Sequence, residues 1–388
     1  MKLHQFFSIL IFNFFTCTLH AQPYIAGESY FSENEYVEYM HGNLPLILSA
    51  SHGGYLKPSE LKDRDCEGCT YIMDSRTQEL TRDLYERLHE LTNCYPYAVY
   101  NLLHRSKLDA NRDKDIAADG DPLAEQAWEY YHQRIIETRE HFENQETKAL
   151  FLDFHGHGHE IQRIELGYLM SKSELSQDDS TLGSDVFRDR SSIRNLSQNN
   201  LNNFSFIDLL RGSVSLGTIF EDNQIPTVPS LQDPFPKVND QYFSGGYNTF
   251  QYGSLDDSKT DAIQIEIHRD VRLDDDQRGE LVGQLAESII EYMELHYDRN
   301  FRNLNCVIST VSPPVDEKSI VLFPNPLNDV LYLSQKTDLI LVYNALGQMI
   351  AKEEGSDRIN LSFLDKGNYW IHLIGHSGMS QYNKLTKI

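Results

Sequence analysis

Two rhythms of apolar and polar residues run along most of this chain. Short apolar runs bounded by turns read as buried strands, and apolar residues spaced three and four apart read as amphipathic helices. Leu44-Pro-Leu-Ile-Leu-Ser-Ala50, Tyr97-Ala-Val-Tyr-Asn-Leu-Leu103 and Lys148-Ala-Leu-Phe-Leu-Asp153 are of the first kind. Gln162–Met170 and Ala262-Ile-Gln-Ile-Glu-Ile-His268 predict two more strands. Thr77–Glu90 carries Leu80, Leu84 and Leu88 in helical step, and Asp274–His296 carries Leu281, Leu285, Ile289, Ile290 and Met293. Asp121–Phe142 is a third helix, opened by Pro122 in its first turn. Strands that alternate with helices predict an α/β domain with a largely parallel sheet. Residues 22–43 read as an extended lead-in, and 171–255 as long polar loops with short helices.

The pattern changes at Ser309-Thr-Val-Ser-Pro-Pro314, which has linker composition. Beyond it come short β runs, such as Val330-Leu-Tyr-Leu333, Leu339-Ile-Leu-Val-Tyr343 and Tyr369-Trp-Ile-His-Leu-Ile374. Turn signals at Pro324-Asn-Pro326, Asn344-Ala-Leu-Gly347 and Lys366-Gly-Asn368 separate them, so a small all-β sandwich is expected. At the other end, Met1-Lys2, an apolar stretch over 6–15 and Leu19-His-Ala21 describe a secretory signal peptide. That stretch is too short to span a bilayer as a helix, and no later one is longer. The expected division is a signal peptide over 1–21, an α/β domain over 22–306, a linker over 307–318 and a β domain over 319–388.

With 388 residues the chain can bury a sizeable core. A formal net charge of -24 argues against nucleic acid and anionic membranes as partners. Cleavage after Ala21 removes Cys17 and leaves Cys66, Cys69, Cys94 and Cys306. An even count in an exported chain favours disulfides, in any of three pairings. Cys66-Glu-Gly-Cys69 has no second such pair to complete a four-cysteine zinc site.

Chemistry gathers at the strand ends. Asp153-Phe-His155-Gly-His157-Gly-His159 follows one strand, and Ser51-His52-Gly-Gly54 follows another. Catalytic zinc takes three protein ligands and keeps a fourth position for water; two histidines and a carboxylate form a common set. His52 and His155 are the candidate imidazoles, and either Glu60 or Asp74 the carboxylate. Glu266 lies mid-strand between two isoleucines, where burial would raise its pKa and suit it to act as a general base. Arg105, Asn111 and Arg112 offer a guanidinium fork and an amide for a substrate carboxylate. No role is readable for His157 and His159.

In order and spacing, five blocks resemble the N-formylglutamate amidohydrolase family, a branch of the zinc-dependent exopeptidase-like folds. They are Leu44 to Gly54, Asp74 with Leu80, Arg105 to Arg112, Leu150 to His155, and Gly245-Gly-Tyr247 through Gln264-Ile-Glu266. The resemblance implies a three-layer αβα domain with a mixed, largely parallel sheet. It implies one zinc ion on His52, Asp74 and His155, with Glu266 as base and Arg105 supporting an oxyanion. Asn111, Arg112 and Tyr247 would bind a small-molecule or short-peptide substrate bearing a carboxylate, cleaved at an amide bond. The chain departs from the family at Ser51 (usually proline), at Gly156 (usually serine), and in lacking an arginine near Phe250 and Gln251. Together with export, these departures point away from formylglutamate itself. They also leave a second reading, a non-catalytic exported protein that binds a glycan or peptide.

The C-terminal residues Leu322-Phe-Pro-Asn-Pro326, Leu341 to Gln348, Leu364 to Tyr369 and Lys384 to Ile388 resemble the sorting domain of the type IX secretion system of Bacteroidetes. That resemblance implies recognition by the secretion machinery through 319–388, and a secreted or cell-surface location.

Overall fold

Period-two alternation along the central strands divides the first part of the chain into three layers. The structure is a computed structural model. It describes residues 24–306, 322–323, 327, 329–344, 349–374 and 380–387. The signal peptide expected over 1–21 and the linker over 307–318 lie outside the described residues. The chain divides into two compact units after residue 308.

The first unit holds β1 (Ser29–Phe31), β2 (Val37–Met40), β3 (Leu46–Ala50), β4 (Tyr97–Asn101), β5 (Ala149–His157), β6 (Ile164–Gly167), β7 (Thr227–Val228) and β8 (Thr260–His268). They form one sheet in the order β1-β2-β4-β3-β5-β8-β6-β7. Strands β4, β3, β5 and β8 run parallel at its centre, while β2 and β6 flank them antiparallel. The lead-in over 22–43 thus contributes two strands where sequence patterning gave only extended chain. Tyr36, Val37 and Tyr39 are buried there and pull the segment onto the sheet edge.

Leu48, Leu150, Leu152, Phe154, Ile263 and Ile265 point to one side of the sheet. They pack with Leu80, Leu84 and Leu88 of helix Thr77–Thr92 and with Leu285 and Ile289 of helix Asp275–His296. Ile47, Phe151 and Ala262 point to the other side, against Tyr131 and Ile135 of helix Pro122–Asn144. Asp121 caps that last helix by accepting from the Leu123 and Ala124 amides, with Pro122 in the first turn. On this second side the strands begin apolar and end polar: Phe151 gives way to Asp153 and His155, and Ala262 to Gln264 and Glu266. Polar groups therefore collect at the carboxyl ends of the parallel strands, where α/β sheets bind ligands.

The described strands of the second unit pair antiparallel. Strands β9 (Leu322–Phe323), β10 (Val330–Tyr343), β11 (Met349–Asn360), β12 (Gly367–Ile374) and β13 (Ser380–Lys387) form one sheet around Leu331, Ile340, Val342, Ile371, Leu373 and Leu385. The runs at 330–333 and 339–343 prove to be one strand with a register shift between Tyr332 and Thr337. No described helix is long and apolar enough to cross a membrane.

Of the three pairings open to the cysteines, the structure has Cys66–Cys69 and Cys94–Cys306. The second bridges a sequence separation of 212 residues and so restrains far more of the unfolded chain than the first, which bridges 3. Removing it as Cys94→Ala/Cys306→Ala is expected to cost about 2–5 kcal/mol in denaturant unfolding, with a smaller loss for Cys66→Ala/Cys69→Ala.

Candidate metal centre

Three strand ends and one turn build the site. His52 leaves the end of β3, and its carbonyl accepts the Asp74 backbone N–H at 3.0 Å, which carries the Asp74 carboxylate to the same place. His155 lies on β5, in register with Glu266 on β8. His52, Asp74 and His155 are all buried. Their facing atoms form a near-equilateral triangle. His52 Nδ1 is 3.1 Å from His155 Nδ1, and each is 3.3 Å from Asp74 Oδ2. Tetrahedral ligands at zinc bond lengths of about 2.0–2.1 Å stand about 3.3 Å apart.

The far nitrogens explain why the near ones converge. His52 Nε2 is 2.6 Å from Asp109 Oδ1, and His155 Nε2 is 2.7 Å from Asp153 Oδ2. Ionised carboxylates only accept, so each Nε2 carries a hydrogen and each Nδ1 is turned toward Asp74. Carboxylate-backed imidazoles are the usual supporting arrangement of a metal site. The supports are themselves held. Ser49 Oγ donates to Asp153 at 2.5 Å from the paired position on β3, and Arg105 Nε donates to Asp109 at 2.9 Å.

Electrostatics favour a cation here. Burial opposes a charge on His155, yet Asp153 and Asp74 outweigh it and hold the imidazole well above its ordinary pKa. Burial also opposes ionisation of Asp74, but hydrogen bonds from His155 and His52 keep its carboxyl well below the usual range. Asp109 behaves likewise, its desolvation overcome chiefly by His52 and then by Arg105. Two nitrogens and a carboxylate oxygen thus surround a point that wants positive charge, and the residues present fit a single divalent ion.

Glu266 stands one strand away from His155. It is buried, and Gln264 Nε2 donates to its Oε1 at 2.9 Å, while Oε2 has no protein partner. Burial pushes its carboxyl up to about 8; His155 opposes the shift, and Asp74 and Glu165 add to it.

The other candidates are placed as follows. Glu60 is exposed and bonded to the Tyr36 hydroxyl, away from the triangle. Arg105 is engaged with Asp109 and the Ile72 carbonyl, and its Nη1 lies 3.9 Å from Asp74 Oδ1. Asn111 is buried, and its Oδ1 accepts the Asn248 amide at 2.8 Å. Its Nδ2 lies 3.4 Å from His155 Nε2, a meeting of two donors rather than a bond. Arg112 is exposed and anchored only through Nη1 to the Asn111 carbonyl, at 3.0 Å. The Tyr247 ring sits 5.6 Å from His132 and 6.4 Å from Trp128.

His157, His159 and Glu165 form a second cluster close enough to share an ion. His157 has no ring nitrogen to spare: Nε2 bonds the Arg163 carbonyl at 2.9 Å, and Nδ1 accepts the His159 amide at 3.2 Å. That histidine ties the end of β5 to the following loop. Sequence reading missed Asp109 and Asp153 as imidazole supports, and Arg272 altogether; nothing in the spacing of Arg272 relative to the strand ends marks it.

Comparison with known proteins bears first on the second unit. Residues 321–387 match the secretion system C-terminal sorting domain. The chain carries an export signal in that sorting domain, which indicates a secreted or surface protein. No curated protein matches the chain. Solved structures similar to it include the gene product Atu2144 from Agrobacterium tumefaciens, 14% identical, covering 68% of this chain and 98% of that one, with TM-score 0.42. Another is the N-formylglutamate amidohydrolase of Ralstonia eutropha JMP134, 13% identical, covering 63% of this chain and 91% of that one, with TM-score 0.37.

The geometry separates the two candidate carboxylates. In a chelator-competition titration, Asp74→Ala is expected to weaken zinc binding by more than the about 10–100-fold typical of supporting residues, and Asp109→Asn to fall within that range. Glu60→Gln should leave affinity unchanged.

Proposed function

We propose that residues 22–306 are a zinc-dependent hydrolase that cleaves an amide bond of a carboxylate-bearing small molecule or short peptide. The triangle of His52, Asp74 and His155 beside the unpartnered Glu266 oxygen carries this reading. Zinc held there would polarise the scissile carbonyl and acidify a water molecule. Glu266 Oε2, one strand away, takes the proton of the attacking water and returns it to the leaving nitrogen. Its raised pKa suits both halves of that exchange, since the carboxyl holds the proton between the two transfers. Arg112, with most of its fork free, binds the substrate carboxylate, and the Asn111 Nδ2 hydrogens add a directional donor. Arg105 brings positive charge beside Asp74, where an oxyanion develops. The Tyr247 ring, half-buried against Trp128, supports one side of the substrate.

Export follows from the sorting domain at 321–387, and we take the type IX machinery to be its reader. The paired cysteines agree with an oxidising destination.

Four measurements check the proposal. Purified protein should hold one zinc per chain; Glu266→Gln should keep that zinc and lose about 10²–10⁴-fold in hydrolysis across a panel of N-acyl amino acids and dipeptides. A wild type without stoichiometric zinc, or a Glu266→Gln variant as fast as wild type, would refute it. Zinc must displace the proton that the metal-free site holds on His155, so affinity should fall as pH falls, by about tenfold per unit while that imidazole is protonated. An affinity that does not change between pH 8 and about 6 would contradict this. Deleting 319–388 should trap the protein inside the outer membrane, as read by cell fractionation.

A further inference from the structure

Among the described residues, Arg272 is the buried cation that reaches the backbone next to Asp74, His155 and Glu266 together. It rises from the short helix Arg269–Leu273, directly after β8, and only 4% of it is exposed. Its Nε donates to the Ile267 carbonyl at 3.0 Å, one residue after Glu266. Its Nη1 donates to the Ser75 carbonyl, one residue after Asp74. Its guanidinium covers Gly156, one residue after His155: a Cβ there would overlap Cζ, Nη2 and Nε. The Gly156 amide in turn donates to Asp74 Oδ2 at 3.1 Å. A buried guanidinium is costly unless its donors are satisfied and its charge is balanced. Here two carbonyls accept from it, and the Asp74 carboxylate supplies the opposing charge.

We propose that Arg272 is a positioning residue, a brace that holds the Asp74 carboxylate at a set distance from Glu266, and that residue 156 is glycine because this side chain fills its space. The brace itself stands on the Arg272 contacts, and its effect on zinc affinity rests on the reading of His52, Asp74 and His155 as zinc ligands. Arginine suits the task because its planar fork reaches two carbonyls at once, which a lysine ammonium does not. The departure at Gly156, where the resembling family carries serine, and the arginine 116 residues later are then one feature. A side chain at 156 and the Arg272 guanidinium exclude each other.

The test uses the full chain and two readouts. The first is zinc affinity by competition with a chromogenic chelator. The second is hydrogen exchange of the Gly156 amide in metal-free protein, which needs neither zinc nor substrate. Arg272→Ala is expected to weaken zinc about 10–100-fold and to speed Gly156 exchange by at least about tenfold, with the melting curve of the metal-free protein still cooperative. Gly156→Ala should do the same by displacing the guanidinium, and Gly156→Ala/Arg272→Ala should be no worse than Arg272→Ala alone. Arg272→Lys, the variant best able to keep the fold, should recover only part of the loss. Wild-type zinc affinity and Gly156 protection in a folded Arg272→Ala protein would overturn the brace, as would additive losses in the double variant. A wild type that binds no zinc yet shows the predicted exchange changes would refute the metal reading and leave the brace standing.

Discussion

Two buried imidazoles, each backed by a carboxylate, are the constraint on which the rest of the first unit turns. Each far nitrogen donates to Asp109 or Asp153, so each near nitrogen must face Asp74. Buried lone pairs directed at one another repel unless a proton or a cation lies between them. That requirement gives the site its preference for positive charge. It also sets what the scaffold must do: hold four acidic side chains and two histidines against mutual repulsion and in fixed directions.

The parallel sheet does this through register. Ser49 pairs with Asp153, and His155 with Glu266, so the imidazole support, the proposed ligand and the proposed base sit on neighbouring strands on one face. Neighbouring strands are about 4.8 Å apart, which keeps Glu266 close to the triangle without joining it. A slip of one residue in β5 would turn Asp153 and His155 into the aliphatic side of the sheet and bring Phe154 to the cleft. The apolar starts of the same strands, packed on the 122–144 and 275–296 helices, hold that register. Stability and chemistry thus share the same nine-residue strands.

The second unit is organised by a different economy of size. It has its own core of leucines and isoleucines around β10. Its match to a sorting domain gives it a task in export.

Much of this was legible from the chain alone. Apolar runs and helical spacing located the central strands and three long helices, because burial imposes those periods on any sequence that folds this way. His52, His155 and Glu266 stood out because polar residues at the ends or in the middle of apolar strands must serve some purpose or be paired. The lead-in strands β1 and β2 escaped notice, since runs of 3 and 4 residues are too short to show a period. Tertiary structure alone placed Asp74, and not Glu60, beside the histidines, because both follow His52 in a segment without regular spacing and only the fold returns one of them to it. It likewise settled the cysteine pairs, the tie of His157 to the Arg163 carbonyl, and the place of Arg272 over Gly156. The contacts of Asp74 with His52, of Cys94 with Cys306 and of Arg272 with Gly156 join residues tens to hundreds of positions apart, and local sequence carries no record of which distant atoms the closed chain brings together.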